Sequence, residues 1–338
     1  MVAYDHSRQC FVGCMENGLY QPRYDNPRLL ELLRPFSREE VAAATQCRLE
    51  EVVCEMVAGL QWPKNRIVLA GGIFANVKLN QRIRELENVE KVYVFPNMGD
   101  GGLAAGAARL AYRRKTGRNP KKATTMFLGN DLDPVEIEQA LGKADLPFEK
   151  PRKVSEAVAE LLAQEKVVIR ARGRMEFGPR ALGNRSILYH CKDKEVNHWL
   201  NESLSRSEFM PFAPVTLGEE ADKLYLGLQK GCDSAPFMTM TFDCTDDMVQ
   251  SSPAAVHVDR TARPQVVYSD LYPELHEILF NYARHTGRTS LINTSFNMHE
   301  EPIVCTAPDA IRAFRASGLP WMALGDYLVQ NKDASAFF

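Results

Sequence analysis

The chain has 338 residues, 45% of them hydrophobic and 25% charged, with a formal net charge of -2 and a pI near 6.4. Its length exceeds one ordinary core and implies two domains. The charge balance excludes a protein held to nucleic acid by overall charge, though not one with a local basic patch. No apolar run approaches the ~18–20 residues that span a bilayer. The first twenty residues carry Asp5 and Glu16 and show no basic-then-apolar signal pattern, so a cytoplasmic protein is expected. The eight cysteines form no CxxC pair and read as reduced packing thiols.

Residues 1–25 show little periodicity and read as irregular. Ser37 and Glu40 form a capping-box pattern that opens a helix to about Leu60, with Val41, Ala44, Leu49, Val52, Val53 and Met56 at helical spacing. A strand at Arg66–Ala70 meets Gly71-Gly72 and a helix to Leu86. A second strand, Lys91–Phe95, runs into Pro96–Gly102 and a small-residue helix, Leu103–Tyr112. Strand, glycine turn and helix, repeated, is the rhythm of a doubly wound sheet. The polar, basic stretch from Arg113 to Lys122, with Gly117 and Pro120, reads as a linker.

Beyond it, helices are expected at Pro134–Gly142, Ser155–Gln164, near Lys194–Leu204, Leu275–His285 and Pro308–Ala316. Strands are expected at Val167–Ala171, Pro211–Leu217, Phe237–Phe242, Gln265–Tyr268, Thr289–Asn293 and Tyr327–Gln330.

The stretch from Arg172 to Ser186 places Arg172, Arg174, Arg180 and Arg185 among Gly173, Gly178, Gly183 and the apolar Met175, Phe177 and Leu182. The apolar residues imply a loop packed on the body of the protein, and glycines let backbone approach a ligand. Arginine forks match phosphate oxygens, so phosphate binding is favoured over a solvated basic loop. Asn293-Thr-Ser-Phe-Asn297 sits where a strand ends, where such residues either read a polar ligand or cap a turn. Gly71-Gly72 with Asn76, and Gly99-Asp100-Gly101-Gly102, each lie between strand and helix. There, backbone amides favour an anion and an aspartate can hold a cation. His257, Asp259, Thr261 and Arg263 cluster before an apolar strand and, taken alone, read as a turn.

Six stretches in order carry a resemblance: LAGGIFANVKLNQRI (69–83), PNMGDGGLAAGAA (96–108), RGRMEFGPRALGNRS (172–186), PFAPV (211–215), NTSFN (293–297) and EPIVCTAPDAI (301–311). The chain resembles the NodU/CmcH-type O-carbamoyltransferases. The resemblance implies an α/β chain in which a partial actin-like (ASKHA) ATPase subdomain precedes a YrdC-like α/β domain with a mixed twisted sheet. On that basis residues 1–118 are the second part of the actin-like domain, 119–125 a linker, and 126–338 the YrdC-like domain. The implied activity is ATP-dependent formation of carbamoyl adenylate from carbamoyl phosphate, then transfer of the carbamoyl group to a hydroxyl of a sugar-like small-molecule or glycan acceptor.

The resemblance assigns the adenylation chemistry to Arg174, Arg180, Asn184 and Arg185. It assigns nucleotide contacts to Gly71, Gly72, Asn76, Arg206, Thr261, Arg263, Asn293, Ser295 and Asn297, and a divalent metal, iron or magnesium, to Asp100. The family pairs that metal with two histidines spaced HxxxH, and none of the seven histidines here stands in such a pair. Met210 and Arg260 also replace an expected arginine and glycine. The reading is therefore of a chain that begins partway through the actin-like fold, with transfer impaired unless the missing half is supplied in trans. A homodimer is the other assembly considered. The alternatives are a tRNA threonylcarbamoyladenosine-type modification protein, disfavoured by the acidic pI, and a non-catalytic remnant acting as an interaction module.

Overall fold

The computed structural model describes residues 2–13, 27–60, 65–121, 125–204, 212–332 and 334. The chain opens on an antiparallel hairpin, β1 (Val2–Asp5) and β2 (Cys10–Gly13), where an irregular segment was expected. Its turn is made by Asp5, whose Oδ1 accepts from the Ser7 and Arg8 amides, a local side-chain bond that leaves no periodic signature. Helix α1 (Pro27–Leu33) follows, and then α2 (Arg38–Ala58). The capping box forms as read: Ser37 Oγ accepts from the Glu40 amide at 3.1 Å, and Glu40 Oε2 accepts from the Ser37 amide at 2.8 Å.

Strand β3 (Asn65–Leu69), helix α3 (Val77–Glu85) and strand β4 (Val89–Val94) form a parallel βαβ unit. The turn after β4 requires glycine, since a Cβ on Gly102 would lie 2.0 Å from the Asn97 carbonyl oxygen. Helix α4 (Leu103–Thr116) runs four residues past Tyr112, into the stretch read as linker, and stops at Gly117 in a left-handed conformation. None of its residues is buried.

The second half contains α5 (Pro134–Lys143), β5 (Phe148–Glu149), α6 (Val154–Ala163), β6 (Val168–Ala171), β7 (Arg185–His190), α7 (Val196–Ser203) and β8 (Ala213–Leu217). These are followed by α8 (Ala221–Leu224), β9 (Phe242–Asp243), α9 (Asp246–Ser251), β10 (Thr261–Ala262), β11 (Gln265–Val267) and α10 (Pro273–Thr286). The last elements are β12 (Ser290–Ser295), α11 (Ala307–Ser317), β13 (Trp321–Leu324) and β14 (Tyr327–Gln330). Eight strands form one mixed sheet in the order β11-β8-β12-β7-β6-β13-β14-β5, parallel at β11–β8 and β13–β6 and antiparallel elsewhere.

Helices α6 and α10 cover one face over Val168, Leu188, Val215 and Leu291. The other face, with Ile169, Ile187, Ile292 and Met322, belongs to a core that also takes in Phe314 of α11 and Leu79, Ile83 and Val92 of the first half. That continuity joins the halves. Asn80 Nδ2 donates to the Thr239 carbonyl at 2.7 Å, and Arg84 Nη1 donates to the Gly227 carbonyl at 2.8 Å.

Strands β7 and β13 were not foreseen: β7 is buried at every position, so no alternation marks it. The expected strand at Phe237–Phe242 shrinks to β9, because Ala235–Phe237 is a 3-10 turn and Met238 adopts positive φ. No helix among the described residues is long and apolar enough to cross a membrane.

Candidate active site

Strands β6 and β7 lie antiparallel and adjacent, with Ala171 opposite Arg185, so the arginine-rich stretch is the connection between two neighbouring core strands. One limb is stitched to residues 126–130: the Met175 amide donates to the Asn130 carbonyl at 2.8 Å and the Phe177 amide to the Met126 carbonyl at 2.7 Å. The other limb folds back onto Glu176, only 6% exposed, whose Oε1 accepts from the amides of Leu182, Asn184 and Arg185 at 2.8, 2.9 and 3.1 Å. Gly183 has φ 112°, and a Cβ there would meet Leu275 Cδ2 at 2.6 Å, so the limb can close only with glycine.

The arginines divide by what they touch. Arg185, fully buried, donates to the carbonyls of Arg172, Gly173, Asn184 and Cys305, while its buried Nε has no partner among the described residues. Burial lowers its pKa, with the Glu176 charge opposing. Arg174 is exposed and donates to the Gly129 carbonyl at 3.1 Å and the Leu128 carbonyl at 3.3 Å. Arg172 donates to Asp326 Oδ1 at 2.6 Å and pairs with Glu274, which also pairs at 2.6 Å with the buried Arg170. Arg170 Nη1 reaches Asn184 Oδ1 at 2.8 Å, and Asn184 Nδ2 donates to the Arg174 carbonyl at 2.8 Å.

Arg180 stands apart. Among the described residues its Nη2 reaches only the Ala75 carbonyl, at 3.4 Å, and its buried Nε has no partner. Its charge is felt at Arg263, where burial first and the Arg180 charge second push the pKa down to about 9. Neither guanidinium has a carboxylate partner among the described residues. Two half-buried like charges left unneutralised cost free energy, and an anion between them removes that cost. Arg180 sits at the seam between the halves, where a Cβ on Gly178 would lie 3.1 Å from the Pro96 carbonyl oxygen.

The carbamoyltransferase C-terminus model matches residues 159–331, and the carbamoyltransferase N-terminus model matches residues 20–109. The chain belongs to the carbamoyltransferase family. It is 30% identical to nodulation protein NolO of Bradyrhizobium diazoefficiens over 96% of this chain and 62% of that protein. It is 34% identical to uncharacterized protein MJ1051 of Methanocaldococcus jannaschii over 86% of this chain and 56% of that one. To nodulation protein U of Sinorhizobium fredii it is 34% identical over 77% of this chain and 46% of that one. The chain thus spans about half the length of the curated relatives it matches. A solved structure of full-length HypF in its phosphate- and nucleotide-bound form aligns with a TM-score of 0.35 and 16% identity, over 56% of this chain and 23% of that one. That likeness is too loose to carry an argument.

Within this carbamoyltransferase-family chain the other expected site residues fall in three places. Ser295 and Asn297 lie at the end of β12, with Ser295 Oγ donating to Asn297 Oδ1 at 2.6 Å, next to the Arg185 backbone that Phe296 bonds. Asn293, two residues earlier on the same face of β12, is buried and donates to Gln265 Oε1 at 2.7 Å and to the Ala181 carbonyl of the arginine-rich stretch at 3.3 Å. Thr261 and Arg263 join the Arg180 seam, where Thr261 Oγ1 donates to Asp259 and contacts His257 Nδ1 at 3.1 Å. Asn76 lies close by, but its Oδ1 caps α3 through the Leu79 amide. Gly71 and Gly72 lead into the short turn carrying Ala75. Arg206 lies outside the described residues.

Asp100 is exposed, and no group of three His, Cys, Asp or Glu side chains gathers to hold a metal among the described residues. These residues alone do not fit a metal centre. Glu176, Glu274 and the Lys78–Asp259 pair were missed by sequence reading. A lone glutamate inside a run of arginines is the signal by which Glu176 was findable.

Proposed function

We propose that this chain handles carbamoyl phosphate and ATP in an ATP-dependent O-carbamoyltransferase. The observation that carries the reading is Arg180 at the seam, its Nε buried without a partner and its charge reaching Arg263, with no carboxylate on either guanidinium among the described residues. Family membership supplies the chemistry this geometry suits. Joining carbamate to the α-phosphorus of ATP brings an anion onto a polyanion, and fixed guanidinium groups offset their repulsion and the charge on the departing pyrophosphate. Atoms balance when carbamoyl phosphate and water give carbamate and inorganic phosphate, and carbamate with ATP gives carbamoyl adenylate and pyrophosphate. Arg180 and Arg263 take phosphate oxygens, Arg174 lies at the loop's exposed rim, and Asn184 and Arg185 hold the loop's shape. Asn297, tied to the Met298 and Glu301 carbonyls, takes the Ser295 proton and leaves the Ser295 oxygen to accept from the carbamoyl NH2.

The second step, transfer to a hydroxyl of a sugar-like acceptor, is assigned to the assembled protein. The residues around Asp100 need further ligands to bind iron or magnesium. Val68 is 71% exposed and Leu103 69%, and α4 buries nothing. An open face of that kind on a parallel pair of strands suits a further folded part, in the same chain or in trans.

The test is carbamoyl-phosphate-dependent exchange of labelled pyrophosphate into ATP by the purified, folded chain. Arg180→Ala is expected to abolish exchange while keeping the melting temperature. Absence of exchange in the wild type, or its persistence in Arg180→Ala, refutes the reading.

A further inference from the structure

Glu176 is a buried carboxylate inside a loop otherwise built from arginines, and the chemistry assigned above makes no use of it. Its flanking residues are anchored to one wall by the Met175 and Phe177 amides, and its Oε1 gathers three amides from the opposite limb. Those amides belong to Leu182, Asn184 and Arg185, so one atom sets the separation of the limb that carries Arg180 and Arg185 from the limb that carries Arg174. Its Oε2 is buried and has no partner among the described residues. Carboxylates accept strongly from several amides at once. An amide side chain in the same place brings an NH2 that needs a buried acceptor, and none is evident beside Oε2.

We propose that Glu176 is a positioning residue for the adenylation step, holding the limb that carries Arg180 at the angle the departing pyrophosphate requires; this rests on the function proposed above. Positioning is distinct from a purely electrostatic role, in which Glu176 acts as a counter-charge to Arg185. The two roles have opposite signs. Removing a negative charge beside an anion site strengthens anion binding, whereas losing the three-amide clamp misplaces the arginines and weakens it.

The experiment compares Glu176→Gln, which keeps the size and loses the charge, with Glu176→Asp, which keeps the charge and shortens the reach. Three quantities are read: kcat and KM for carbamoyl phosphate in pyrophosphate exchange, calorimetric affinity for inorganic pyrophosphate, and melting temperature. Positioning predicts that kcat falls about tenfold or more in both variants while KM for carbamoyl phosphate holds within about threefold. It also predicts weaker pyrophosphate binding in both, with folded protein by circular dichroism. Wild-type kcat in Glu176→Asp overturns the proposal, as does tighter pyrophosphate binding in Glu176→Gln. Should the wild type show no exchange at all, the functional reading fails by itself. Pyrophosphate affinity then still decides for Glu176: weakened in Glu176→Asp supports the clamp, and unchanged overturns it.

Discussion

Lys78 Nζ donates to Asp259 Oδ2 at 2.8 Å, tying α3 of the first half to the turn before β10 in the second. Burial opposes ionisation of Asp259, but Lys78 and Thr261 together hold its pKa down to about 2. A depressed carboxylate pKa adds stability that is present above the unfolded value near 3.8 and is lost as pH falls through about 2. Asp259 is half exposed, so the effect on stability is below ~1 kcal/mol. Lys78→Ala is expected to raise the Asp259 pKa toward 3.8, read by carboxyl-carbon NMR titration, with the His257 and Thr261 resonances moving in step.

Arg263→Ala separates stability from binding. Removing one of two crowded guanidinium groups relieves repulsion and desolvation, so the melting temperature holds or rises, by up to roughly 1 kcal/mol of stability. Affinity for inorganic pyrophosphate falls about tenfold or more. A variant that both melts lower and binds pyrophosphate normally contradicts the placement of an anion at this seam.

His190 is buried at 4% exposure, and its Nδ1 has no partner among the described residues. Burial lowers its pKa to about 4, only partly opposed by Glu165, which lies 3.9 Å from Nε2. The neutral ring is therefore favoured by folding. Its contribution is fully present above the unfolded value of 6.5 and is lost as pH falls from 6.5 through about 4. His190→Phe is expected to flatten that part of the stability profile by ~2–3 kcal/mol, measured by denaturant unfolding at successive pH values.

Ile83, 0% exposed, packs in the core shared by both halves. Ile83→Ala is expected to cost about 2–5 kcal/mol and to shift a single unfolding transition, because one continuous core unfolds as a unit. A calorimetric trace that splits into two transitions, with only one displaced, argues against that continuity.

Local chemistry was legible before any coordinates. The Ser37–Glu40 capping box, the βαβ rhythm of β3, α3 and β4, and most second-half helices follow from periodicity and from side chains that act on their own neighbours. The density of arginine and glycine between Arg172 and Ser186 marks the candidate site for the same reason: glycine and arginine keep their conformational and charge properties wherever they fold. Buried strands were harder to see, since β7 has no exposed face to alternate with, and the Asp5 turn is made by side-chain bonds that carry no period.

What each arginine does could be decided only by the tertiary structure. In the sequence Arg174, Arg180 and Arg185 are equivalent cations. In the fold Arg185 is surrounded by carbonyls and Arg174 rests on a loop edge, while the charge of Arg180 acts on Arg263, in the link between β10 and β11 and 83 residues further along the chain. Residue type sets the charge and the shape of a side chain, and these are intrinsic. Whether that charge is satisfied depends on which distant groups packing brings beside it, and no local pattern encodes those.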